Sequence, residues 1–185
     1  MGMAISVPRF TIEDLERFPN DGNRYELLDG ILIVTPAPGP AHQIVASRLM
    51  NHLANALQGP GFAHVVGPGV VVRTPRTQLE PDILVYPSRY SPKTEWAKVG
   101  EHWLAVEVLS RSSRIYDREI KRDAYFALGV QQVWLVDPHE CSVEVWPSRR
   151  SSHVTRRQLE WRVDAVGVSI VIDLAGVFAG LMPGN

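Results

Sequence analysis

Two carboxylates interrupt otherwise apolar segments of this sequence. Asp82 opens the segment Asp82–Tyr86, and Glu107 lies inside Trp103–Leu109. A carboxylate in a buried strand is costly unless it is paired, hydrogen-bonded or bound to a metal. If the two segments are neighbouring strands, both side chains can meet near one end of a sheet. Two carboxylates, a backbone carbonyl and water form an oxygen-rich site suited to Mg²⁺ or Mn²⁺. Such an ion neutralises phosphate charge and lowers the pKa of water, as phosphodiester hydrolysis requires.

Three further side chains could contribute to this chemistry. Lys121 lies on the helix predicted directly after the Glu107 strand, from which it can orient an attacking water or stabilise phosphate charge. The simpler alternative is a surface ion pair between Asp117 and Lys121, worth only ~0.3–0.5 kcal/mol. Glu26 lies in a predicted strand, where Glu is rare, and is either a third acid near the metal or a residue on the exposed face of an edge strand. His42 begins a helix and either contacts phosphate or has a structural role.

The two strand carboxylates also have structural alternatives. Glu107 could form an ion pair with Arg111 or Arg114 in the segment that follows its strand. Asp82 follows Pro81, and a Pro-Asp dipeptide is common in turns. These alternatives stay open for each residue taken alone.

The hydrophobic pattern predicts an α/β fold in which a mixed β-sheet is flanked by helices. The predicted elements are a helix beginning at Thr11, a hairpin with arms Tyr25–Leu28 and Ile31–Val34, a helix over Ala41–Leu57, strands over Phe62–Val66, Val70–Arg73, Asp82–Tyr86 and Trp103–Leu109, a helix over Ile115–Leu128, strands over Gln132–Val136, Val143–Trp146 and Ile170–Ile172, and a short helix near Leu174–Phe178. Strand signals are weaker after Ser151. The strand, helix and strand between residues 103 and 136 predict a parallel pair with a right-handed crossover.

Length and composition set the expected class of protein. The 185 residues fit a single domain spanning 1–185. Cys141 is the one cysteine, so neither an internal disulfide nor a zinc-type motif is expected. The sequence shows no membrane-length apolar run and no signal-peptide pattern at its start, so we expect a cytoplasmic protein.

The charge distribution is close to balanced overall. The net charge of −1 is not that of a typical nucleic-acid-binding domain. Arginines and lysines nevertheless concentrate in two clusters, which could form local basic patches or merely solvated faces. The clusters are Arg111, Arg114, Arg118, Lys121 and Arg122, and Arg149, Arg150, Arg156, Arg157 and Arg162.

The chain resembles the Uma-two family of restriction-endonuclease-like proteins, within the PD-(D/E)xK nuclease superfamily. The resemblance covers nearly the whole chain, and it depends on a set of short motifs in a fixed order. These motifs are Thr11-Ile12-Glu13-Asp14-Leu15, Arg24-Tyr25-Glu26-Leu27-Leu28-Asp29-Gly30, Pro40-Ala41-His42, Pro81-Asp82, Glu107-Val108-Leu109-Ser110, Asp117 with Lys121 and Tyr125, and Gly129-Val130 followed by Val133-Trp134-Leu135-Val136-Asp137-Pro138. The implied fold is a restriction-endonuclease-like core with an N-terminal helix and hairpin.

The resemblance also implies residue roles. Asp82 matches the acid of the PD motif, Glu107 matches the second acid, and Glu26 matches an acid contributed by the N-terminal part. The superfamily's usual lysine follows the second acid by two residues, where this chain has Leu109. The lysine role is therefore expected at Lys121, on the following helix.

Three functions are compatible with this pattern. The first is a Mg²⁺- or Mn²⁺-dependent endonuclease acting on DNA. Asp82, Glu107 and the Val108 carbonyl would bind the metal, Lys121 would position water, and Glu26 would complete the acidic pocket. The basic clusters would then contact the phosphate backbone. The second is a catalytically inactive nucleic-acid-binding or interaction protein on the same fold, favoured by the near-neutral charge and the displaced lysine. The third is a hydrolase of small phosphoesters. A homodimer is expected, because duplex DNA offers two strands and two-fold contacts are common.

Overall fold

The computed structural model describes residues 9–110 and 116–181, apart from the side chains of residues 116 and 117. The helices are α1 (Ile12–Leu15), α2 (Pro40–Leu53), α3 (Arg122–Ala127) and α4 (Leu174–Val177), with π-helical turns at Ala54–Gln58 and Tyr116–Lys121 and a 3₁₀ turn at Trp96–Lys98. The strands are β1 (Arg24–Leu28), β2 (Ile31–Thr35), β3 (Ala63–Val66), β4 (Val71–Arg73), β5 (Thr77–Leu79), β6 (Ile83–Pro87), β7 (His102–Val108), β8 (Val130–Asp137), β9 (Ser142–Ser148), β10 (Ser151–Thr155), β11 (Gln158–Val163) and β12 (Val168–Asp173).

The largest sheet of the described residues is mixed and has six strands in the order β10-β9-β8-β7-β6-β3. β7 and β8 are parallel, whereas β6 and β7 are antiparallel. A smaller sheet has the order β2-β1-β5-β4, and β11 pairs with β12. The mixed α/β prediction is therefore confirmed, and so is the parallel pair joined through a helical segment.

The predicted neighbourhood of the two carboxylate segments is also found. Ile83 pairs with Val106 in the antiparallel register, so Asp82, one residue before β6, lies opposite Glu107. β6 itself begins at Ile83. The start of the helix predicted over Ile115–Leu128 lies outside the described residues, and its remainder is a π turn followed by α3.

Three strands were not predicted. β5 has only three residues, Thr-Gln-Leu, and it exists because β1 and β4 pair with it on either side. β10 consists mostly of exposed residues. β11 has a period-2 pattern in which Leu159, Trp161 and Val163 are buried between polar residues, so the expectation of weak strand structure after Ser151 was wrong.

Apolar side chains cover both faces of the large sheet. On one face, α2 packs Val45, Leu49 and Leu53 against a core that also contains the β11–β12 hairpin. On the other face lie α3 and residues of the smaller sheet. Because side chains alternate along a strand, Glu107 shares its face of β7 with Ala105 of this second core. A carboxylate there must have polar partners.

The structure contains no helix, within residues 9–110 and 116–181, that is long and apolar enough to cross a membrane.

Candidate active site

The carboxylate of Asp82 is held from three elements. Arg24 of β1 donates from Nη2 to Oδ1 at 2.9 Å. His42 of α2 places Nε2 3.0 Å from Oδ2, and the backbone N–H of Val108 donates to the same oxygen at 2.8 Å. Asp82 is only 8% exposed. β1, α2 and β7 therefore fix its orientation together.

The surroundings of Asp82 favour its ionised form. Burial alone would raise the pKa of this carboxyl group. The hydrogen bond and charge of His42, the Arg24 guanidinium and the Val108 N–H outweigh burial and hold the pKa below its ordinary value. Asp82 is therefore a carboxylate at neutral pH, the form that binds a cation.

Glu107 is oriented by the helical segment that follows its strand. Tyr125 donates from its hydroxyl to Glu107 Oε1 at 2.5 Å, and Lys121 donates from Nζ to the same oxygen at 3.5 Å. Lys121 and Tyr125 are four residues apart, the spacing that puts two helical side chains on one face. The face of the helical segment that carries Lys121 and Tyr125 therefore meets Glu107.

Glu26 and Lys121 form a buried ion pair. Lys121 Nζ lies 2.6 Å from Glu26 Oε2, with side-chain exposures of 2% and 0%. The other carboxylate oxygen of Glu26 accepts from the Glu80 backbone N–H at 2.8 Å. Glu26 is therefore not on the exposed face of an edge strand, because β1 lies between β2 and β5. Lys121 is buried, so its expected position on the protein surface was wrong. The side chain of Asp117 lies outside the described residues, so the pairing of Asp117 with Lys121 stays a prediction.

Arg24 is a site residue that the sequence analysis missed. It lies two residues before Glu26, so both point to the same face of β1. Its Nη1 donates to the Glu80 carbonyl at 2.8 Å, while Glu26 accepts from the Glu80 N–H. Burial would lower the pKa of Arg24, but Asp82, Glu107 and Glu26 raise it above its ordinary value. The i, i+2 spacing to Glu26 was the available signal.

Close backbone packing also positions Asp82. A Cβ atom added at Gly67, in the segment between β3 and β4, would lie 2.5 Å from the Asp82 carbonyl oxygen. Real Cβ atoms essentially never approach this closely. A glycine is therefore required where this segment crosses the Asp82 peptide.

Asp82, Glu107 and Lys121 line one cavity of about 70 Å³, together with Arg24 and His42. A single water needs roughly 10–15 Å³ of such space, so an ion and a few waters have room there. Three carboxylates, those of Asp82, Glu107 and Glu26, face the cationic side chains of Arg24 and Lys121, so the acids outnumber these two cations. Oxygen donors with a negative balance fit a hard divalent cation.

A complete metal cluster is not preassembled from side chains. No group of three or more His, Cys, Asp or Glu side chains is arranged to hold a metal within the described ranges. Asp82 and Glu107 would therefore need a backbone carbonyl, for which Val108 is the candidate, and water. Both Asp82 oxygens already have positively charged or N–H partners, which a cation would have to displace or share.

The first predicted basic cluster is largely engaged within the protein. Arg118 pairs with Glu144 at 3.4 Å, and Lys121 is buried in the site. The Arg122 guanidinium lies 4.0 Å from the ring centroid of Trp146. Arg111 and Arg114 lie outside the described residues, so the proposed pairing of Glu107 with either stays a prediction.

The second basic cluster lies on the surface. Arg149 pairs with Asp123 at 3.1 Å, and Arg162 pairs with Asp164 at 3.0 Å. The remaining members are also exposed; they are Arg150, Arg156 and Arg157.

The fold defines a class, the restriction-endonuclease-like α/β proteins. The chain is similar over its length to a crystal structure described as "a putative nuclease belonging to DUF820" from Anabaena variabilis, with a TM-score of 0.71 and 18% sequence identity. The alignment covers 94% of this chain and 99% of that one. This likeness shows the fold.

The chain belongs to the Uma2 family. The sequence model of that family, described as "Putative restriction endonuclease", matches residues 12–175. The resemblance inferred from the motifs is thereby confirmed. No protein with a curated description matches the chain.

Proposed function

We propose that this protein is a metal-dependent endonuclease that hydrolyses phosphodiester bonds in DNA, with Asp82 and Glu107 holding Mg²⁺ or Mn²⁺. The observation that carries the proposal is that both carboxylates and Lys121 line one small cavity at the ends of β6 and β7. Membership of the Uma2 family supports a nuclease activity.

The protein's own groups would divide the work as follows. A bound divalent ion would neutralise phosphate charge and activate water. Lys121, fixed between Glu26 and Glu107, would present its ammonium to a phosphate oxygen or to the attacking water. Arg24 would offer a guanidinium, whose planar donors suit a phosphate. Glu26 would hold Lys121 in place and add to the negative field of the pocket.

A plasmid-nicking assay tests the proposal. Wild-type protein is incubated with supercoiled DNA in Mg²⁺, in Mn²⁺ and in EDTA, beside Asp82→Asn and the matched control Glu119→Gln. Glu119 is an exposed acid on the same helical turn as Lys121. We expect metal-dependent nicking that Asp82→Asn reduces at least about 100-fold, a loss similar to that of a catalytic electrostatic group, and that Glu119→Gln leaves unchanged. Absence of nicking by the wild type in either metal refutes the proposal.

A non-catalytic nucleic-acid-binding or interaction protein is the second candidate. It is favoured by the completeness of the ion-pair network, in which Arg24, His42 and Lys121 already engage the oxygens of Asp82 and Glu26. Titration of Mn²⁺ by calorimetry separates the two. Undetectable metal binding at millimolar Mn²⁺, with DNA binding retained, would favour this candidate.

The number of domains and the oligomeric state of the protein stay predictions. We propose a single domain that pairs as a homodimer. Sedimentation velocity over a range of protein concentrations measures the oligomeric state, and a monomer at all concentrations would exclude the dimer.

A further inference from the structure

Three cavities meet at His42. The first is the cavity of about 70 Å³ that contains the two candidate metal ligands. A second, of about 700 Å³, shares Gly39, His42 and Ser110 with it. A third, of about 220 Å³, shares Arg24, His42 and Asp82 with the first. The three cavities therefore border one another around the candidate site, and together they are called the groove below.

The 700 Å³ cavity has the character of a ligand pocket. Its volume lies within the ~300–1,000 Å³ typical of such pockets. Among the described residues, its walls include the apolar side chains of Pro40, Leu109, Pro138 and Leu181, and its polar groups include Ser110, Asp137 and His139. Apolar walls with a few polar groups suit a ligand that combines an apolar ring with polar edges, such as an aromatic heterocycle.

The 220 Å³ cavity has a different character. Gln43 and Ser47 line it from one face of α2, and Arg24 lines it from β1. Gln43 and Ser47 are exposed, and Arg24 is a cation whose guanidinium also pairs with the Asp82 carboxylate of the same cavity. Amide, hydroxyl and guanidinium groups together are the usual partners of a sugar-phosphate backbone.

We propose that the groove binds a single DNA strand, with one unstacked base in the 700 Å³ cavity beside the scissile phosphate and the neighbouring sugar-phosphate in the 220 Å³ cavity. This rests on the proposed nuclease function and names its substrate class. In a continuous duplex the bases are stacked, so one cannot enter a pocket next to its own phosphate unless it leaves the stack. Single-stranded segments meet no such cost, and their bases stack readily on protein surfaces.

A cavity-filling variant tests the pocket. Ala41 lines the 700 Å³ cavity, so Ala41→Phe would occupy the space of the base without removing a charged group. Ala97→Phe is the matched control, because Ala97 is exposed and lines none of the three cavities. Binding of labelled 20-mer single-stranded and duplex DNA is measured by fluorescence anisotropy in Ca²⁺, and thermal melting checks the fold of each variant.

A second measurement does not depend on any protein variant. A single abasic position is walked along the single-stranded substrate, and cleavage of each oligonucleotide is measured in Mg²⁺ or Mn²⁺. Loss of one stacked base is expected to slow cleavage about tenfold. This effect should occur only when the abasic position lies at one fixed distance from the scissile bond.

The expected result is at least tenfold tighter binding of single strands than of duplex, lost in Ala41→Phe and retained in Ala97→Phe. If single-stranded and relaxed duplex DNA are cleaved equally and neither the filled pocket nor the abasic gap has an effect, the base pocket is refuted while the nuclease proposal stands. If the wild type cleaves nothing but binds single strands through an Ala41-sensitive site, the nuclease proposal fails and the pocket stands.

Discussion

The buried ion pair between Lys121 and Glu26 should make a large contribution to stability. The pair is 2.6 Å long with side-chain exposures of 2% and 0%. Replacing Lys121 by Met leaves the buried carboxylates of Glu26 and Glu107 without their ammonium partner. Breaking a buried pair from one side typically costs about 3–5 kcal/mol. At roughly 2–4 °C per kcal/mol for a chain of this size, the midpoint of thermal unfolding should fall by roughly 6–20 °C.

A double-mutant cycle separates this pair from general disruption. Lys121→Met, Glu26→Gln and the double variant are unfolded in urea, and their free energies of unfolding are compared. The double variant has neither charge of the pair, so it should be about as stable as Lys121→Met alone. The interaction energy from the cycle then equals in magnitude the loss caused by Glu26→Gln alone, which is expected to be roughly 3 kcal/mol, at the lower end of the cost of breaking a buried pair and the upper end for contacting residues.

An exposed ion pair provides the control. Arg149 and Asp123 lie 3.1 Å apart, with side-chain exposures of 60% and 32%, so Arg149→Met should cost at most about 1 kcal/mol. If Lys121→Met is as mild as Arg149→Met, or if the two single losses simply add, the buried pair does not stabilise this site and the reasoning is refuted.

Three other changes have expected outcomes. Tyr125→Phe removes the donor to Glu107 Oε1 and should cost roughly 1.5–3 kcal/mol in urea unfolding, as hydrogen bonds to charged groups do. Gly67→Ala places a Cβ atom 2.5 Å from the carbonyl oxygen of Asp82, so this variant should have a lower melting temperature and a lower nicking activity. A Cβ atom at Gly176 has no neighbour within 4 Å, so the control Gly176→Ala should change neither. Burial lowers the pKa of His102 below 6.5, although the charge of Glu101 opposes this shift. The contribution of His102 to the free energy of unfolding should therefore be complete above about pH 6.5 and should decrease as the pH drops below that value.

His102→Leu tests the last of these. Within the described part of the chain, His102 Nε2 is buried without a hydrogen-bond partner. Protonation is therefore favoured more in the unfolded chain than in the native state, and acid favours unfolding. The free energy of unfolding is measured for wild type and variant between pH 7.5 and 5.5. It should fall more steeply with decreasing pH in the wild type than in His102→Leu. Parallel curves would show that His102 is not the titrating group. Equal melting temperatures for Gly67→Ala and Gly176→Ala would contradict the close approach of Gly67 to the Asp82 carbonyl. An unchanged free energy of unfolding for Tyr125→Phe would contradict a stabilising hydrogen bond to Glu107.

Local sequence patterns determined much of the site. Glu107 interrupts an apolar strand, and its buried position follows from that pattern because apolar strands fill the centre of a sheet. Lys121 and Tyr125 come next along the chain at helical spacing, so the strand–helix–strand unit brings both to Glu107. These contacts span 14 and 18 residues, within one supersecondary unit whose handedness is nearly invariant. The α/β class followed from the same periodicities.

Only the tertiary structure decided what surrounds Asp82. Arg24 reaches it across 58 residues of sequence, through the way in which the smaller sheet packs against the larger one. β5 illustrates the same limit, since three residues become a strand only between two partners. Strand pairing and sheet packing depend on contacts between distant segments, and no local period records them. The sequence therefore determined which acids the core must accommodate, and the packing of distant elements decided which cations accompany them.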